Sequence, residues 1–136
     1  MKKKIIVTTT MILLIISLVF AGTVTFDRGL GTRPSGTISG DVFIYNLEDG
    51  EWYPSGPGQF VHYQVRTASG GFVNVPDSQG FTTTILAGHY CIQLEDHPGY
   101  HEEGLWVRLY FRHQPYEGDF NWEDGAQIDI YFNPSL

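Results

Sequence analysis

The chain has 136 residues, 8 Lys and Arg against 15 Asp and Glu, and a formal charge of −7; that length points to one domain. At 42% hydrophobic, 15% aromatic and 17% charged, it can build a core and is not disordered by composition. The acidic balance argues against a binder of phosphate backbones, which needs clustered Lys and Arg. The single cysteine, Cys91, excludes an intramolecular disulfide framework and a Cys-rich zinc site.

The first element is a leader. Lys2, Lys3 and Lys4 precede an apolar run over residues 5–20, broken only by Thr8–Thr10 and Ser17. Val19 and Ala21 then occupy the small-residue positions that a signal peptidase reads, with cleavage after Ala21. The rival reading is an uncleaved anchor, because such a run almost spans a bilayer core of about 30 Å. Either way the remainder lies outside the cytoplasm, secreted or held at the membrane through residues 5–20 alone. Removing residues 1–21 leaves 115 residues with no lysine, five arginines and fifteen acids, a net charge of −10. Such a domain has no electrostatic reason to seek nucleic acid or an anionic membrane. Its natural partners are divalent cations or basic surfaces.

After Gly22 the pattern is one of short alternating segments between Gly, Pro and Asp turns, which predicts an all-β fold. Residues 22–36 read as a flexible spacer or a loose strand, and residues 37–136 as the folded domain. The first firm strand is predicted over 38–45, with Ile38, Val42 and Ile44 on one face, followed by a long turn over 46–59. Strands follow at 60–66, 71–75, 81–86 and 89–95, the last with Tyr90, Ile92 and Leu94 inward. Two more are predicted at 105–112 and 126–132, with a loop between them at 114–125. Seven strands, each with one apolar face, predict a seven-stranded antiparallel β-sandwich whose two sheets bury those faces together.

The run DSQGFTTTILAGHYCIQLEDHPGY at residues 77–100 resembles the carboxypeptidase regulatory-like group of prealbumin-like (transthyretin-like) sandwiches. The matching positions are Gly40 and Val42, then Asp77, Gly80 and Phe81, Leu86, Gly88 and Tyr90, and finally Gly99 and Tyr100. The resemblance spans residues 36–133 and is close only over this run. It implies a fold and a role as an accessory, adhesive or structural module of exported proteins. Two departures stand out: the 54–59 loop is roomier than the family's corresponding segment, and the 114–125 loop is longer. Some related domains build a Lys–Asn isopeptide crosslink, which a chain without lysine after residue 4 cannot form. Without the family, Asp77 reads as a residue bonding its own turn and Gly80 as the one supplying positive φ there.

Three clusters are candidates for chemistry. In the 114–125 loop, Glu117, Asp119, Asn121, Glu123 and Asp124 offer the oxygens that Ca²⁺ wants; the structural alternative is a solvated hairpin tip. Around Pro98-Gly99, His97, His101, Glu102 and Glu103 have the ligand types of a transition-metal site; the alternative is scattered surface histidines. Trp52, Trp106, Tyr110 and Trp122, with Tyr131, point away from the predicted core or sit in loops, as an interaction surface requires; the alternative is that Trp106 packs beneath Arg108 and Arg112. Those two arginines also read as cross-strand partners of Asp129, and Cys91 as a small half-buried residue. No Gly-x-Ser-x-Gly, His-Glu-x-x-His or phosphate-cradling loop occurs. The sequence therefore points to an exported, non-catalytic module for protein or glycan contact or self-association, with Ca²⁺ as its candidate cofactor. Its rival is a small metal-dependent enzyme or metal carrier built on His97, His101 and Glu102.

Overall fold

Residues 33–136 are described by a computed structural model, and the leader and residues 22–32 lie outside the described residues. The strands are β1 (Thr37–Asn46), β2 (Glu51–Pro54), β3 (Phe60–Arg66), β4 (Gln79–Thr83), β5 (His89–Gln93), β6 (Trp106–Phe111), β7 (Gln114–Asp119), β8 (Ala126–Gln127) and β9 (Ile130–Phe132). Among the described residues no helix is long and apolar enough to cross a membrane.

The all-β expectation holds, in two sheets. β1 is the axis of the first. Its opening half pairs antiparallel with β5 and its closing half with β2, while β8 and β9 run parallel to it along the other edge. The second sheet is antiparallel, in the order β4-β3-β6-β7. Between the sheets lie Ile38 and Val42 from β1, Val61 and Val65 from β3, Tyr90, Leu109, Phe111 and Ile130, all buried. The alternation that marked the strands is the alternation that buries them: on β6, Val107, Leu109 and Phe111 are inward while Trp106, Arg108 and Tyr110 are half-buried on the other face.

Several expectations are corrected. The sandwich is not wholly antiparallel, since the carboxy-terminal strands return parallel to β1. The expected 126–132 strand is two, because Ile128 and Asp129 break from the ladder. Ile128 donates its N–H to the Ser39 carbonyl (3.0 Å) and Asp129 accepts from the Asp41 N–H (2.9 Å). β2 lies within the predicted long turn; all four of its residues are exposed, so burial imposes no period on its sequence. β7 occupies the first half of the predicted 114–125 loop, paired to β6 through a two-residue turn, Arg112-His113. Residues 71–75 make only a bridge from Phe72 to Arg66. Residues 33–36, expected in the spacer, are tied to the sandwich: Gly36 bonds Trp122 and Leu94 through its backbone, and Arg33 donates to the Gln127 side chain (2.7 Å).

The left-handed residue of the 77–80 turn is Asp77 (φ 59°), not Gly80. Gly80 is needed for a different reason: a Cβ there would sit 2.9 Å from the Tyr63 hydroxyl, directly across the strand pair. Gly88 does take positive φ (72°), and its Cβ would meet the Val42 carbonyl oxygen at 2.6 Å.

Candidate functional site

The expected calcium ligands do not converge. Glu117 stands on β7 and forms an ion pair with Arg108 across the ladder (2.7 Å). Asp119 lies at the far end of the same strand, opposite Trp106. The remaining three, Asn121, Glu123 and Asp124, form a tight turn closed by the Asn121–Gly125 bridge. In it the Asn121 side-chain oxygen accepts the Glu123 and Asp124 N–H groups (2.9 and 3.1 Å), and its amide donates to Asp124 (3.2 Å). The turn is thus ordered by Asn121 itself. The histidine cluster is also dispersed. The His97 ring accepts the Gly99 N–H (3.1 Å) as the cap of a short 3-10 turn, while His101 pairs with Asp96 (2.6 Å) and lies against the Trp122 ring. Glu102 is exposed. Among the described residues no three His, Cys, Asp or Glu side chains are placed to share a metal ion.

The four aromatic candidates separate. Trp122 packs on the core, its ring stacked on Tyr100 at 5.8 Å. Trp106 donates its indole N–H to the Thr67 carbonyl (2.8 Å) and lies between the Arg66 and Arg108 guanidiniums; Arg112 is elsewhere, bonded to Gln59 (3.1 Å). Asp129 pairs with neither arginine, its carboxylate being taken by the Asp41 N–H. Cys91 is exposed rather than half-buried. Trp52 and Tyr110 are left, on the outer faces of different sheets.

Around Trp52 the first sheet carries a contiguous aromatic surface. β1 residues 41, 43 and 45 point outward because 38, 40, 42 and 44 point in. Register places Phe43 beside Tyr131 and Tyr45 beside Trp52. The Phe43 and Tyr131 rings stack at 5.0 Å, Trp52 meets the Tyr131 ring edge-on at 5.3 Å, and Tyr45 tilts against Trp52 at 5.1 Å. Trp52 is 41% and Tyr131 52% exposed. The rim is acidic, with Asp41 and Asp129 on one side and, on the other, the exposed Glu48 and Asp49 of the β1–β2 turn and Glu51 at the start of β2. Asp49 accepts the Tyr53 hydroxyl (2.6 Å), and that bond holds the Tyr53 phenol above its ordinary pKa.

Around Tyr110 the second sheet carries a groove of about 480 Å³ lined by Phe60, His62, Phe81, Tyr110, Arg112 and His113. The row Phe81–His62–Tyr110 is set by register across three strands, and the imidazole stacks on both neighbours, at 4.6 and 5.8 Å. Standing rings turn their edges outward, and ring edges carry partial positive charge. Arg112 and His113 take positive φ (48° and 70°), a conformation that two-residue hairpins impose and that Asn-Gly normally meets. The strained turn sets the Arg112 guanidinium and the His113 imidazole among the residues that line the groove. Phe60 was not singled out in the sequence, Phe81 entered only as a position of the family resemblance, and Arg112 only as a cover for Trp106 or a partner of Asp129; the available signal was the outward register of residues 60 and 62 opposite Val61 and Tyr63.

Comparison with known proteins finds no matching family model, no matching curated protein and no matching solved structure.

Proposed function

We propose that this chain is an exported, non-catalytic β-sandwich module that docks a protein partner through the aromatic surface of Phe43, Tyr45, Trp52 and Tyr131. The observation that carries this reading is the four-ring cluster on an outer sheet face, centred on aromatic side chains and rimmed by acids. Protein interfaces share that anatomy, an apolar centre rich in Trp and Tyr inside a polar rim. The acids specify a basic rim on the partner. Export rests on the leader pattern over residues 1–21. The carboxypeptidase regulatory-like reading of the sandwich rests on the resemblance at 77–100; the demands on Gly80 and Gly88 give two of its positions a physical reason.

The test is binding of the purified chain to envelope fragments of its own source cell, before and after protease treatment. A central Trp in an interface is worth roughly 2 kcal/mol or more, so Trp52→Ala weakens binding about 30-fold, and protease abolishes it. Binding that survives protease assigns the surface to glycan instead. Equal binding by wild type and Trp52→Ala overturns the proposal.

A further inference from the structure

Two surfaces of this molecule are complementary to one another. The β1–β2 hairpin, residues 47–53, exposes Leu47 (61%), Trp52 and Tyr53 together with Glu48, Asp49 and Glu51, and no described cation pairs with those acids. The groove on the other sheet has the inverse character. Its apolar rings, Phe60 at 69% and Phe81 at 71% exposure, are bounded by Arg112, His113 and His62, and no acid lines it, although the chain has fifteen. The Arg112 guanidinium bonds the neutral Gln59 amide and lies over the Phe111 and Phe132 rings, and no acid pairs with it among the described residues.

We infer that the occupant of the groove is a second copy of this chain, its acidic and aromatic hairpin seated among Phe60, His62, Phe81 and Tyr110 with its carboxylates facing Arg112 and His113. The inference rests on the reading of the hairpin side as a docking face and names the partner. The hairpin belongs to one sheet and the groove opens on the outer face of the other, about 10 Å across the sandwich core, so a chain does not fill its own groove. Hairpin and groove are different patches, which makes the contact heterologous. Repeated, it adds copies in one direction instead of closing a symmetric dimer.

A benzophenone amino acid placed at Leu47 in the full chain tests both readings. The expected product after irradiation is a ladder of chain multimers whose crosslinked peptides map to residues 60–62, 81 or 110–113 of the neighbouring copy. Crosslinks only to a different protein overturn self-association while the docking face stands. Crosslinks from hairpin to hairpin overturn the heterologous geometry, and no crosslink at all overturns both readings. Sedimentation of two variants altered at exposed positions, Leu47→Asp and Phe81→Glu, gives a second measurement that does not depend on the photoreaction. Each alone stays monomeric at concentrations where wild type forms oligomers. Their equimolar mixture forms dimers and nothing larger, because one intact hairpin meets one intact groove. A mixture that stays monomeric, or either variant assembling like wild type, overturns the inference; unchanged melting of both variants verifies the fold.

Discussion

Gly40→Ala is the substitution that most directly tests how the sandwich is assembled. Gly40 sits in the middle of β1, where a Cβ would lie 2.0 Å from the Ile128 carbonyl oxygen, 2.7 Å from its carbon and 3.0 Å from the Tyr90 hydroxyl. The two nearest atoms are backbone, so no side-chain rotation relieves the clash. The link between β8 and β9 must move outward, and with it goes the buried bond from the Tyr90 hydroxyl to that carbonyl (2.6 Å). Overpacking of this kind costs about 1–3 kcal/mol, and an orphaned buried carbonyl about 1–3 kcal/mol more. Against this, alanine reduces unfolded-state entropy, a gain of about 0.4–1 kcal/mol. The clash wins by roughly 1–5 kcal/mol. Set against the 5–15 kcal/mol typical of a domain, and at about 4–8 °C per kcal/mol, it lowers the melting midpoint by about 5 °C or more. Thermal melting followed by circular dichroism measures it. Tyr90→Phe removes the same bond without the clash, so the double variant loses less than the sum of the two. A Gly40→Ala midpoint within about 3 °C of wild type, on the scale of, would refute this account of why β1 carries a glycine there.

Two further outcomes follow from buried or strained groups. Burial pushes the Tyr100 phenol up to about 12, above its ordinary value of about 10. A raised folded pKa means that the contribution is fully present below pH 10 and is lost as pH climbs toward 12, at about 1.4 kcal/mol per unit per group. Alkaline unfolding should therefore begin near pH 10, and Tyr100→Phe should flatten the pH dependence while costing the bond to the Pro76 carbonyl (3.1 Å); an unchanged slope contradicts the assignment. His113→Gly relieves a left-handed φ of 70° worth roughly 1 kcal/mol and should raise the midpoint by a few degrees. A lowered midpoint would mean that the imidazole holds the turn by contacts that outweigh the strain.

The parts of the fold that were legible in the sequence are those where burial writes a period. Residues 105–112 alternate because Val107, Leu109 and Phe111 face the core, and the same holds for Tyr90, Ile92 and Leu94. β2 and β7 were not legible. Every β2 side chain is exposed, and β7 presents Gln114, Tyr116 and Gly118 to the interior side, none of them a strand-forming aliphatic. Both are held by ladder bonds to a neighbour, which the backbone of any residue can make, Pro54 and Pro115 through their carbonyls alone. The direction of the carboxy-terminal strands was also hidden, since alternation is identical in parallel and antiparallel pairs. The metal clusters misled because sequence proximity is not convergence. Extended backbone sends Glu117 toward Arg108 while the turn that follows spends Asn121 on its own N–H groups.

The electrostatic expectation was sharpened by the fold rather than replaced. A net charge of −10 for residues 22–136 suggests a uniformly acidic surface, yet the arginines are unevenly placed. Three of the four described arginines, Arg66, Arg108 and Arg112, belong to β3, β6 and the turn after β6; the first two alternate with the valines and leucine of one buried face. The acids at the β1–β2 turn border the other sheet, and Asp129 sits in the break between its strands β8 and β9. The two sheets thus carry aromatic surfaces of different chemistry, one rimmed by acids and one lined by Arg112 with no acid, a polarity that neither composition nor net charge contains.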